Sequence, residues 1–146
     1  MQKQIKNQTG IWIDGNKALI VSFIGDEVKI SEVNSDMDGV FLRDGQPIKT
    51  NFSGGNNDSH EKRLEERKKN NTRKFLKTVS DAVQKADELY IIGPGEMRTK
   101  LSRFMEAEYK IFTAKIKGVA SCEKLRESQI ITRMKSFFNL EERIEL

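Results

Sequence analysis

The sequence predicts an α/β protein on a mixed sheet: a three-stranded antiparallel meander, then parallel strands with helices packed on them. Three observations predict it. Near the N-terminus three short runs rich in β-branched and aromatic residues are separated by tight turn signals. After residue 87 strand-like and helix-like segments alternate, the pattern of parallel pairing with helices on the sheet. The 146 residues, 36% of them apolar, suffice for a single domain with a core of its own, since domains run to roughly 100–200 residues.

Taken in order, the strands of the meander are Gly10–Asp14, Ala18–Ile24 and Glu27–Val33, separated by Asp14-Gly15-Asn16 and Gly25-Asp26. Residues 34–57 form a polar, glycine-rich loop, about 25 residues with the cap that follows, unusually long for a connection unless functional or flexible. A short hairpin around Val40-Phe41-Leu42 fits inside it. Asp58-Ser59-His60-Glu61 reads as a capping box opening a helix. The second half of that helix carries Phe75, Leu76, Val79, Ala82, Val83 and Ala86, a core-facing stripe. Its first half, 58–74, has Leu64 as its only large apolar residue and is expected to project into solvent, with Asn70-Asn71 marking a break. A strand at Glu88–Ile92, a helix at Gly95–Ala107, a strand at Tyr109–Val119 and a helix at Glu127–Phe138 follow. Met97, Leu101, Phe104 and Met105 share one face of the first of these helices. Ile130, Ile131, Met134, Phe137 and Phe138 mark the second, and an acidic tail frays after it.

Charge is unevenly placed. The whole chain has 26 Lys and Arg against 22 Asp and Glu, a net of +4. Between His60 and Lys77 stand Lys62, Arg63, Arg67, Lys68, Lys69, Arg73, Lys74 and Lys77 against three glutamates, a net of +5, so the remainder is slightly acidic. Two readings fit this stretch: an arm that neutralises nucleic-acid phosphates without reading sequence, or a solvated helix face laced with pairs such as Glu65 and Lys69.

Other constellations exclude more than they suggest. One cysteine, Cys122, and one histidine, His60, cannot build a Cys/His zinc site, and no histidine is placed to activate Cys122. No cofactor or metal is expected. No run approaches the roughly 18 apolar residues of a membrane span and no signal peptide is evident, so a soluble, cytoplasmic protein without a membrane partner is expected. Asp14 lacks the partner carboxylates that a Mg²⁺ nuclease needs and reads as a hairpin turn. Gly93-Pro94-Gly95 lacks the spacing of a dinucleotide-binding loop, Arg98 occupying the last position, and reads as a strand-to-helix turn. Trp12 and Phe137-Phe138 lie at core-facing positions.

Thr9-Gly-Ile-Trp-Ile-Asp-Gly-Asn16, the pair Gly54-Gly55 leading into a basic helix, Leu89-Tyr-Ile-Ile-Gly-Pro-Gly-Glu-Met-Arg-Thr-Lys-Leu101 and Ser128-Gln-Ile-Ile131 together resemble the middle domain of the archaeal and eukaryotic class I peptide-chain release factors. Pelota-type rescue factors share that domain, and the likeness is closer still to small bacterial relatives of the group. It extends over roughly Gly10 to Phe138, through weak motifs in a shared order. The resemblance implies an α/β fold of the ribosomal-protein and ribonuclease-H-like type. In the release factors the long loop carries Gly-Gly-Gln at its tip and helps water hydrolyse peptidyl-tRNA. The matching positions are Gly54, Gly55 and Asn56. Glycines let backbone enter a crowded site, and an amide beside a backbone N–H can orient water and stabilise developing negative charge. Asn56 in place of Gln retracts the amide and weakens the expected hydrolysis. The length leaves no room for decoding and recruitment domains, so a separate subunit or codon-independent binding is implied. The expected function is a translation-related accessory domain that binds the ribosome, structured RNA or tRNA. The alternatives are peptidyl-tRNA hydrolysis in ribosome rescue and a non-catalytic protein-interaction scaffold.

Overall fold

A computed structural model describes residues 5–35, 40–42 and 61–140, with backbone alone over 40–42 and 61–70. Among the described residues six strands, β1 (Asn7–Ile13), β2 (Lys17–Ile24), β3 (Glu27–Asn34), β4 (Val40–Leu42), β5 (Glu88–Gly93) and β6 (Ile116–Ser121), form one sheet in the order β4-β3-β2-β1-β5-β6. The first four pair antiparallel; β1–β5 and β5–β6 pair parallel. The mixed sheet expected from the sequence is present, and the short strand at Val40–Leu42 forms its edge.

The meander is built by local chemistry. The Asp14 carboxylate accepts hydrogen bonds from the backbone N–H groups of Asn16 (2.8 Å) and Lys17 (2.9 Å), closing the β1–β2 turn. This carboxylate is a turn device, as its sequence context indicates. The turn fixes the register Ile11↔Ile20 and Trp12↔Leu19, so alternate residues divide between two cores.

On one face Ile11, Ile13, Ile20, Leu89 and Ile91 pack beneath α1 (Glu61–Ala82), α2 (Met97–Glu108) and α3 (Ile111–Lys115). On the other, Trp12, Leu19, Val21, Phe23, Tyr90 and Ile92 pack beneath α4 (Glu127–Phe137). Phe75, Leu76 and Val79 anchor α1 together with Val83 just past its end, at roughly 1.5–3 kcal/mol for each fully buried side chain. α4 lies close to the sheet, because a Cβ on Gly10 would meet Met134 Sδ at 2.4 Å.

Four expectations are corrected. Ala82, expected on the core-facing stripe of α1, is exposed at the end of that helix, whereas Phe75, Leu76, Val79, Val83 and Ala86 are buried. α1 runs through Asn70-Asn71 without a break. Asn costs at most about 0.7 kcal/mol of helix propensity relative to Ala, too little to stop a helix already nucleated by its docked half. The strand expected over Tyr109–Val119 is α3 followed by β6. Phe112 is fully buried, and its N–H and that of Thr113 bond back three residues to the Tyr109 and Lys110 carbonyls at 2.9 and 3.0 Å, closing tight helical turns instead of a strand ladder. Phe137 is not a core residue. It is 36% exposed and lies flat on Tyr90, ring centroids 3.7 Å apart, over Gly118, where a Cβ would come within 2.9 Å of its ring. Trp12 and Phe138 are buried as expected. The capping box at Asp58–His60 lies outside the described residues.

Gly93-Pro94-Gly95 is the turn between β5 and α2. Arg98 clips it, its Nη1 donating to the carbonyls of Gly93 and Gly95. This guanidinium is thereby committed to the backbone.

Candidate nucleic-acid interface

The 22 residues of α1 span about 33 Å at 1.5 Å per residue. Five of the eight basic residues singled out in the sequence, Lys62, Arg63, Arg67, Lys68 and Lys69, lie on its first half. Arg73, Lys74 and Lys77 are exposed on the half that docks against the sheet. At 3.6 residues per turn, Arg63, Arg67 and Lys74 occupy one line along the helix, and Lys62, Arg73 and Lys77 a neighbouring line. The buried positions Phe75, Leu76, Val79 and Val83 lie on the opposite side.

Arg73 and Lys77 are held by neighbouring side chains. Arg73 Nη2 stands 3.5 Å from Glu108 Oε2, and its guanidinium carbon lies 5.8 Å from the centroid of the Phe104 ring. Lys77 Nζ donates to Asp81 Oδ2 at 3.0 Å, and the Tyr109 hydroxyl donates to Asp81 Oδ1 at 2.8 Å. The hydrogen bond to Asp81 holds the Lys77 ammonium above the ordinary lysine value. Burial first, and then Asp81, raises the Tyr109 phenol. With the Arg73 and Lys77 side chains 67% and 60% exposed, such ion pairs are worth about 0–1 kcal/mol. Either cation can therefore exchange its carboxylate for a phosphate at little cost.

Gly54, Gly55, Asn56 and His60 lie outside the described residues. Among the described residues no three His, Cys, Asp or Glu side chains could hold a metal ion together, and Cys122 is buried. No helix of the described residues is long and apolar enough to cross a membrane.

A polar cleft of about 380 Å³, lined by Ile5, Lys6, Asp87, Glu88 and Lys117, has no sequence signal, because three distant segments meet to form it. Gln8 Nε2 donates to Glu88 Oε1 at 2.9 Å and Lys6 Nζ stands 3.4 Å from Glu88 Oε2. The Gln8 amide, and after it Lys6, hold the Glu88 carboxyl below its ordinary value against the opposing effect of burial. A carboxyl depressed in the folded state adds stability above its unfolded pKa, and that stability is lost as pH falls through the folded value. Gln8→Ala is therefore expected to move the Glu88 titration upward in an NMR titration and to reduce the acid-side loss of stability. An unmoved titration contradicts the assignment to Gln8.

No family model matches the sequence, and no curated protein matches it by sequence similarity. Solved structures do match. The crystal structure of the Pelota protein of Thermoplasma acidophilum superimposes on 93% of this chain with a TM-score of 0.52 at 13% sequence identity. The fold is shared with a portion of Pelota. This chain corresponds to 34% of the Pelota chain's length. The archaeal translation termination factor aRF1 aligns over 94% of this chain and 41% of its own, with a TM-score of 0.46 at 13% identity. The likeness to Pelota agrees with the α/β architecture that the sequence motifs imply.

Proposed function

We propose that this chain is a translation-related domain that binds the ribosome or structured RNA through its basic helix. The observation that carries the reading is the concentration of eight basic residues on α1, whose second half is fastened to a Pelota-like sheet. A helix anchored at one end can carry several cations to a phosphate backbone without sequence readout, and each neutralised phosphate releases counterions. The release-factor-like motifs supply the translational context.

The sequence also supports a second reading. Gly54-Gly55-Asn56 stands where the release factors carry Gly-Gly-Gln, and the loop would then act on peptidyl-tRNA at the site that the basic helix grips.

One experiment addresses both. The chain is sedimented with ribosomes stalled on labelled peptidyl-tRNA, at low and at high salt. Co-sedimentation is expected at about 50 mM salt and is lost by about 200 mM, as a contact with six or more phosphates requires. A chain that stays in the supernatant at low salt refutes ribosome binding. Labelled peptide freed above background supports the hydrolytic reading, and background release with a bound chain leaves a binding module alone.

A further inference from the structure

The basic helix is one of two concentrations of positive charge. Met97–Lys117 holds six basic residues against Glu106 and Glu108, a net of +4, and outside this segment and His60–Lys77 the chain carries −5. The structure places the second concentration beside the first. α2 and α3 pack on the same face of the sheet as α1. Arg73 lies over Phe104 and against Glu108, and the Tyr109 hydroxyl reaches the Asp81 carboxylate that also binds Lys77.

The geometry of α2 selects which cations face outward beside α1. Leu101 and Met105 are buried, and Phe104 and Glu108 mark the flank that meets α1. At 3.6 residues per turn Lys100 and Arg103 occupy the solvent side, Lys100 toward that flank, whereas Glu106 falls on the opposite flank. Lys100, Arg103 and Lys110 are exposed. Lys110 directly follows Tyr109, at the corner where α2 gives way to α3 next to the docked half of α1. Packed helices have axes roughly 8–10 Å apart, so two such lines of cations span adjoining backbone segments of a folded RNA that one helix could not reach together.

We propose that Lys100, Arg103 and Lys110 form a second phosphate-binding strip, next to the basic helix, so that the chain grips a folded RNA along two adjoining lines. The proposal rests on the RNA-binding reading above and adds to it where the RNA lies. The opposite face of the sheet, covered by α4, is excluded from contact.

The test measures binding of the full chain to purified tRNA over a salt series. K100Q/R103Q/K110Q is compared with K124Q/R126Q/K135Q, which removes the same charge around α4, and with the charge reversal of Arg67, Lys68, Arg73 and Lys74 to Glu. The α2–α3 variant is expected to bind about 10- to 100-fold more weakly and to flatten the dependence of log K on log salt by about 2–3, near 0.9 per lost phosphate contact. The α4 variant is expected to keep the native slope. If both Gln variants keep the native slope while the α1 variant loses binding, the second strip is wrong and the RNA-binding reading stands. If the native chain binds neither tRNA nor ribosomes, the reading fails and the strip with it. Because all three residues are exposed, unchanged far-ultraviolet circular dichroism accompanies the result.

Discussion

Gly93→Ala is expected to destabilise the protein by about 4 kcal/mol or more, the range reached when backbone strain and a steric clash combine. Gly93 has φ +155°, where side chains are disfavoured, and a Cβ there would stand 2.0 Å from the Ile13 carbonyl oxygen. Neither side can yield cheaply. The Gly93 carbonyl accepts the Cys122 N–H at 3.0 Å and an Arg98 bond at 3.2 Å, and Ile13 is paired with Ala18 across the β1–β2 ladder. Chemical denaturation measures the effect as a fall in the transition midpoint at constant slope. Gly15→Ala is the control, because a Cβ there meets nothing within 4 Å, and its midpoint is expected to move by no more than about 0.5 kcal/mol. Equal stability of the two variants would show that the β5–α2 turn is not held as described.

Changing Arg67, Lys68, Arg73 and Lys74 together to Glu is expected to weaken ribosome binding at about 0.1 M salt by a factor of about 100 or more. The change turns the +5 of His60–Lys77 into −3, so attraction to phosphate becomes repulsion. The fold is expected to survive. Arg73 and Lys74 are exposed, and setting a carboxylate at 73 beside Glu108 costs under about 1 kcal/mol in solvent. Sedimentation with ribosomes, alongside circular dichroism of the same samples, separates lost contact from lost structure. Native-level sedimentation of the variant would remove the basic helix from the interface.

The N-terminal meander was legible because its determinants are local. Alternating apolar residues and a carboxylate that bonds the N–H groups two and three residues ahead are contained within Gly10–Val33. The periodic helices at Met97–Glu108 and Glu127–Phe137 were legible for the same reason, to within one or two residues at their ends. The segment after Tyr109 was misread because its helix is only five residues long. Ile111 and Thr113 are β-branched, and Phe112 is recognisable as a helical core residue only once the core cluster it joins is known. Asn70-Asn71 misled in the opposite direction, since local propensity is weak beside the burial that holds the following turns.

By itself the sequence determined the α/β class, the hairpin turns and the eight-cation helix, because turn chemistry, periodicity and net charge are properties of neighbouring residues. Only the tertiary structure decided that the helix carrying Lys100 and Arg103 packs beside that helix, that Glu88 meets Gln8 and Lys6, and that a Cβ on Gly93 would meet Ile13. Those relations join residues tens of positions apart in the chain. They exist because two parallel strand pairings and the packing of three helices on one face of the sheet bring those positions together.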